Sequence, residues 1–355
     1  MSEAAAREVL SSWPGLADAP LRRVTAGLIN LTFRVEGPRG AYSLQRLNPI
    51  FGREVHQDID RVTAHLAAAG LVTPRLVPTA EGALDLAHPG PVEQGGGVWR
   101  LMTWVEGECC DRVDGPGRAR QAGRLLGRFH AALADFTAPF AHRRLGVHDT
   151  PAHLAGLERA LEEHRAHPDH DRIRPLGEAI LQAAEKLPPL PRDPERVVHG
   201  DPKISNLIFD PSGEALALVD LDTVARMPLA LELGDAFRSW CNPAGEDAAA
   251  ARFDLALFEA AVTGYAETAG STLTEAEKEA FVAGARTVMV ELAARFCRDA
   301  LEERYFGWDP GRFPSRSAHN RIRAEGQLTL AQNLFERARE AEARVEAAFT
   351  RRRPG

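Results

Sequence analysis

His199-Gly200-Asp201-Pro202-Lys203-Ile204-Ser205-Asn206, followed at positions 219 to 222 by Val219-Asp220-Leu221-Asp222, is the stretch from which the rest of the chain can be read. Phosphoryl transfer from a nucleotide asks little covalent chemistry of a protein. It needs a carboxylate beside the attacking hydroxyl, oxygen donors on a divalent ion and a cation near the moving phosphoryl group. Asp201 is the candidate base and Lys203 the candidate cation. Asn206 and Asp220 are candidate ligands for Mg2+, which takes a few protein oxygens and completes its shell with phosphate and water. Asp220 ends the apolar run Ala215-Leu216-Ala217-Leu218-Val219, so a strand would present its carboxylate at its terminus. Asp222 lies two residues on and would share that face, as a second metal ligand or as support for the first. His199 is expected to hold the loop backbone rather than to react. An Asp-Pro turn or an Asp-x-Asp pair means little alone; loop motif, apolar strand and paired acids in this order carry the reading.

At 355 residues the chain is long enough for two lobes. A net charge of −7 argues against nucleic acid as the main partner, because phosphate binding leaves a basic footprint. The four cysteines, Cys109, Cys110, Cys241 and Cys297, have no metal-ligand spacing and fit a reduced, cytoplasmic compartment. No apolar run approaches a membrane span, and the polar, Ala-rich start of the chain lacks the pattern of a signal peptide.

The first hundred residues read as strands with one helix. Residues 31–36 and 41–46 alternate about Gly37-Pro38-Arg39-Gly40, a hairpin signal. Residues 52–69 carry helical spacing at Val55, Ile59, Val62 and Leu66, with Gly70 as the stop. Further strands are expected near 83–87 and 98–104. Beyond Trp104 the pattern turns helical: 118–135, 151–165, 171–186, 274–303 and one long charged helix from about 322 to 348. Asp235 reads as a helix N-cap that also braces the catalytic loop. The expectation is an α+β, bilobal, protein-kinase-like fold. Residues 1–104 would form a nucleotide-binding lobe, a five-stranded antiparallel sheet with one helix. Residues 105–355 would form a helical lobe carrying the catalytic loop, the metal site and the acceptor site.

These residues resemble the aminoglycoside phosphotransferase and choline kinase superfamily, whose loop is H-G-D-x-x-x-x-N followed by I/V-D. A closer resemblance is to N-acetylhexosamine 1-kinases. It rests on Gly27-Leu28-Ile29-Asn30, Leu44-Gln45-Arg46-Leu47-Asn48, Arg61 to Leu66, Val219 to Val224, Gly234 to Arg238, Ala294-Arg295-Phe296 with Asp299, Tyr305-Phe306 and His319-Asn320-Arg321. It implies ATP and Mg2+ as cosubstrate and cofactor, and the anomeric hydroxyl of an N-acetylhexosamine as acceptor. Arg295 and Tyr305 would line the sugar pocket. Glu291, Arg295 and Asp299 also have the i,i+4 spacing of a simple charged ladder, and Tyr305 also reads as a packing aromatic.

The chain departs from the pattern in places. Gln45 stands where the superfamily often has Lys or Arg in the second hairpin strand, and the neighbouring Arg46 would face the other way. Gly27 and Asn30 are expected near the phosphates, and the backbone of residues 103 to 105, Thr103 and Val105 included, near the base. The loop reads His-Gly-Asp-Pro rather than His-Asn-Asp-Thr, which leaves the acceptor open. Aminoglycoside, homoserine and choline remain alternatives, as does a pseudokinase regulator that binds nucleotide without transfer. The arginines between 295 and 321 favour a neutral or anionic acceptor.

Overall fold

The computed structural model describes residues 2–24, 30–142 and 147–350. Two compact units result. The smaller comprises Met1–Gly107, Asp135–Arg143 and Val219–Val224; the larger comprises Glu108–Ala134, Arg144–Leu218 and Ala225–Gly355. Asp220 and Asp222, expected with the larger half, therefore belong to the smaller.

In the smaller unit, α1 (Ser2–Leu10) precedes β1 (Leu21–Val24), β2 (Leu31–Gly37) and β3 (Gly40–Arg46). Then come α2 (Val55–Ala68), β4 (Leu86–His88) and β5 (Gly97–Thr103). The five strands form one antiparallel sheet in the order β1-β2-β3-β5-β4. Strand alternation divides its two faces. Phe33, Val35, Leu44, Trp99 and Leu101 are buried in one core cluster with Ala5, Ala6, Val9 and Leu10 of α1 and with Trp13. Helix α1 was not expected; its apolar positions 5, 6, 9 and 10 have helical spacing, but alanine hides the pattern. The other parity places Thr32, Gln45 and Arg100 in one row across β2, β3 and β5. The strand expected at 83–87 is shorter and later.

The larger unit contains α3 (Pro116–Ala132), α4 (Thr150–Glu163), α5 (His170–Ala184), β6 (Glu195–Val198), β7 (Leu207–Phe209), β8 (Ala215–Leu218) and β9 (Ala225–Pro228). They are followed by α6 (Leu229–Trp240), α7 (Leu255–Ala269), α8 (Glu275–Glu302), α9 (Arg316–Glu336) and α10 (Ala338–Thr350). Strand β6 pairs with β9, and β7 with β8. Phe237 of α6 centres the core, edge-on to Phe258 at 4.9 Å and within 6.0 Å of Phe281. A capping box between Thr274 and Glu277 starts α8 where the sequence places it. The long helix expected from 322 to 348 is two helices. Ser315 caps the first by accepting from the Ala318 amide at 3.0 Å, and the break at Arg337 carries neither Gly nor Pro to announce it. No helix among the described residues is long and apolar enough to cross a membrane.

Candidate active site

The loop 199–203 is held by one helix, α6. Glu232 is fully buried, and its two carboxylate oxygens accept the backbone N–H groups of His199 and Gly200, both at 2.9 Å. Ser239 Oγ accepts the Ile204 N–H at 3.0 Å, and the Trp240 indole donates to the Pro202 carbonyl at 2.9 Å. Burial alone would raise the Glu232 carboxyl. His130, His199 and the Gly200 amide outweigh it and hold the group below the usual range. Gly200 adopts φ 80°, a left-handed conformation that suits glycine. His199 Nδ1 accepts the Asp201 N–H at 3.3 Å, a loop contact of the kind expected.

Asp201 is 18% exposed at its side chain. Lys203 Nζ lies 2.5 Å from its Oδ2, and Asn206 Nδ2 donates to its backbone carbonyl at 2.8 Å and to Oδ2 at 3.1 Å. Burial opposes the charge, but Lys203, then Arg238 and His199, hold the carboxyl below its ordinary pKa. The carboxyl is thus ionised at neutral pH. With its N–H groups turned to Asp201, Asn206 keeps its carboxamide oxygen for a cation. Asp201, Lys203 and Asn206 are brought together on one loop.

Asp235 is not an N-cap. It lies inside α6, where Arg238 Nε donates to its Oδ1 at 2.8 Å and Arg238 Nη1 reaches Glu246 at 2.5 Å. The preceding Gly234 serves packing: a Cβ there would come within 2.4 Å of the Gly284 carbonyl of α8. The loop is braced by Glu232, one turn earlier. Burial, and secondarily the charge of Asp201, raise the Asp235 carboxyl despite Arg238. Arg238 itself is shifted further up by Asp235, Glu246 and Asp201 against its burial.

In the smaller unit, Asp220 has φ 65° and ψ 55°, left-handed backbone rare for a residue other than glycine. A 3-10 turn, Leu221–Thr223, follows it. Asp222 is buried, and Arg100 grips both of its oxygens, Nη1 on Oδ1 and Nη2 on Oδ2 at 2.9 Å. Asn30 Nδ2 adds a bond to Oδ2 at 2.6 Å. Burial would raise this carboxyl, but Arg100 and Asn30 hold it down. Asp222 is therefore committed to Arg100 rather than presented to a metal. The Gln45 side chain joins the same group, accepting from Arg100 Nε at 2.9 Å and Nη2 at 2.8 Å. Arg46 points the other way, to the Val92 carbonyl. Asn30 is occupied at both ends, since its Oδ1 accepts the Asn48 N–H at 2.8 Å. Gly27 lies outside the described residues. The Thr103 and Trp104 amides bond to the Arg75 and Ala41 carbonyls at 2.8 and 3.0 Å. Within residues 103 to 105, two of the amides are thus taken up by protein carbonyls.

Arg295 and Tyr305 are neighbours in the larger unit, with the guanidinium 5.8 Å from the ring centroid, and Tyr305 is 55% exposed. Glu291 lies 3.8 Å from Arg295, but its shorter bonds go to His148 at 2.9 Å and Thr150 at 2.6 Å. Asp299 takes no part in a ladder; it accepts the backbone N–H groups of Arg304, Tyr305 and Phe306 at 2.7 to 3.0 Å and so fixes the loop bearing Tyr305. The sequence alone assigns no bracing role to Arg100, Glu232 or Arg238. For Arg100 the signal was present: a lone charge within Val98-Trp99-Arg100-Leu101-Met102 must be buried, and a buried charge implies a partner.

A small β-rich unit, a larger helical one, and an ionised aspartate on a braced H-G-D-x-K-x-x-N loop define a protein-kinase-like phosphotransferase that uses ATP and Mg2+ on a small molecule. The chain belongs to the phosphotransferase enzyme family (APH), whose model matches residues 20–270. Similar solved structures share its fold. A microcompartment-associated aminopropanol kinase aligns with a TM-score of 0.62 and 16% identity over 97% of this chain and 99% of that one. Amicoumacin kinase hAmiN, in complex with AMP-PNP, Ca2+ and Ami, gives 0.61 and 13% over 92% of each chain. A choline/ethanolamine kinase family protein from Mesorhizobium loti gives 0.59 and 19% over 98% of this chain and 99% of that one. No N-acetylhexosamine kinase is among these three, and the family rather than that subfamily is what the matches establish.

Proposed function

We propose that the chain transfers the γ-phosphoryl group of ATP to a hydroxyl of a small amine-bearing alcohol, of the aminoglycoside, choline or homoserine type. Asp201 carries this reading: it is ionised, partly exposed, and bonded by Lys203 and Asn206 on Oδ2, which leaves Oδ1 for an acceptor hydroxyl. Asp201 would orient that hydroxyl and take its proton late in transfer. Lys203 would offset charge on the moving phosphoryl group. Asn206 of the larger unit, through its carboxamide oxygen, and Asp220 of the smaller are each candidates to hold Mg2+; magnesium ATP would supply the phosphoryl group and the ion that screens its oxygens. Val105 would meet the base through its backbone. Phosphorus NMR of reactions with ATP, magnesium and a panel of aminoglycosides, choline, aminopropanol, homoserine and N-acetylhexosamines tests the reading. A new phosphomonoester on an amino alcohol or aminoglycoside supports it, and the absence of transfer to every member overturns it.

A second acceptor, the anomeric hydroxyl of an N-acetylhexosamine, is favoured by one observation. Three acids of the larger unit are already paired: Asp235 with Arg238, Asp247 with His319 and Arg323, Glu291 with His148. These three are not free to hold a polycation, whereas Arg295 beside Tyr305 offers a planar donor fork and a ring face to a sugar. An anomeric phosphate signal from N-acetylglucosamine or N-acetylgalactosamine would select it.

A further inference from the structure

We propose that Arg100 of β5 is the positioning residue for Asp220, a duty it performs by clamping Asp222 and so fixing the turn between them. The inference rests on the reading of Asp220 as a magnesium ligand. Arg100 is 1% exposed on a strand whose neighbours are apolar. A buried guanidinium is tolerated only when its charge and donors are matched. Here Nε and Nη2 converge on Gln45 Oε1 while Nη1 and Nη2 grip the two oxygens of Asp222. Four of the five N–H donors of an arginine are thereby engaged, so the side chain is built to hold protein rather than to bind phosphate.

Gln45 explains why the arrangement needs no cation in β3. Gln45 and Arg100 are direct cross-strand partners. A lysine at 45 would set a second positive charge against the guanidinium, whereas the amide oxygen orients it, and Gln45 Nε2 donates onward to Thr32 Oγ1 at 3.3 Å. The helix following β3 matches this choice. Its histidine His56 is buried within reach of the pair, and burial first, then Arg100, lowers its pKa against the pull of Asp85 and Asp222; the buried acid of the same helix, Asp58, is taken by the Ala141 and His142 amides. Glu54, the acid that could have partnered a lysine, is exposed at the start of α2. Asp222 Oδ2 is also held by Asn30, itself tied to the Asn48 amide.

The consequence falls on Asp220. A non-glycine residue at φ 65° is strained and persists only where its surroundings over-determine it. Asp222 is two residues downstream across a single 3-10 turn, and its clamp is the fixed point against which Asp220 is held.

The test compares Arg100→Gln, Arg100→Lys and the near-isosteric Asp222→Asn with the parent protein. Three readouts are taken: melting temperature, calorimetric binding of a non-hydrolysable ATP analogue with and without magnesium in the absence of acceptor, and the magnesium concentration at half-maximal turnover. Arg100→Gln is expected to raise the half-saturating magnesium concentration at least tenfold and to abolish the magnesium-dependent gain in analogue affinity. Binding without magnesium should stay within twofold. Arg100→Lys is expected not to rescue, because an ammonium cannot bridge Asp222 and Gln45 together. Should Arg100→Gln fail to fold, Asp222→Asn carries the same expected magnesium shift. A folded variant with a lowered melting temperature but an unchanged magnesium dependence overturns the proposal and leaves Arg100 a brace of the fold. Asp220→Asn separates the two layers: if it too leaves magnesium dependence unchanged, the assignment of Asp220 as ligand has failed, and the role of Arg100 with it.

Discussion

At the scale of single residues, Asp201 is defined by its neighbours more than by its own type. Lys203, Arg238 and His199 oppose the burial that would otherwise protonate it. Replacing it with Asn keeps the shape and removes the base. Asp201→Asn is expected to lower kcat by about 10²- to 10⁴-fold, the range of general acid–base contributions, while calorimetry finds nucleotide affinity within twofold of the parent. Near-normal turnover would remove Asp201 from the mechanism. The sign of its pKa shift fixes a second outcome. A depressed carboxyl stays ionised on going from neutral to mildly acid conditions, so the acid limb that Asp201 contributes to kcat/KM lies below about pH 4, the ordinary aspartate value. A limb centred near pH 6 would assign the titration to another group.

At the scale of elements, α6 decides both loop geometry and core packing. Its Glu232 takes the amides of His199 and Gly200, and its Gly234 meets Gly284 of α8 at backbone contact. A Cβ on Gly284 would lie 2.0 Å from the Ala230 carbonyl. Gly284→Ala is therefore expected to destabilise by roughly 1 to 3 kcal/mol as an overpacked contact, read as a loss of urea midpoint at unchanged slope. Glu232→Gln should cost about 1 to 3 kcal/mol, because an amide N–H then faces one of the loop N–H groups. It should reduce kcat as well, since the loop bearing Asp201 loosens. The loop, the apolar strand before Asp220 and the start of α8 were legible because each has a local signal: a motif, an alternation, a capping box. Asp235 imitates an N-cap because Asp is a favoured capping residue, and nothing local places the start of α6 earlier, at Leu229. The break between α9 and α10 has no composition mark. Arg100 was visible as an anomalous charge in β5, but its partner lies 122 positions away, and a lone residue type does not name a partner.

At the scale of the whole molecule, each unit keeps its own core and its own buried acid on an arginine: Asp222 with Arg100 in the smaller, Glu277 with Arg196 in the larger. The carboxyls of Asp222, Glu232, Glu277 and Glu291 are all held below their usual values against burial. For a depressed acid, the unfolded chain binds the proton first. Its contribution to stability is therefore complete above the unfolded pKa near 4 and is lost as pH falls through the folded value. Asp235, shifted the other way, contributes in the opposite direction. The depressed acids, Asp201 and Asp247 among them, outnumber the raised one, so the melting temperature falls steeply below about pH 4, and Asp222→Asn should make that fall shallower; an equally steep fall in the variant would exclude the Asp222 pair as a source. Ligand linkage acts on the same equilibrium. A nucleotide that binds only the folded chain stabilises it by about 2.7 kcal/mol at a concentration one hundred times its dissociation constant. ATP with magnesium is thus expected to raise the melting temperature, and a chelator should remove most of that rise while leaving the ligand-free melting temperature where it was. The rise should also vanish in Asp220→Asn and survive in Asp201→Asn, because in the roles proposed above the first would remove a metal ligand and the second only the base. If Asp201→Asn loses the rise while Asp220→Asn keeps it, the division of labour between the two aspartates is the reverse of the one argued here.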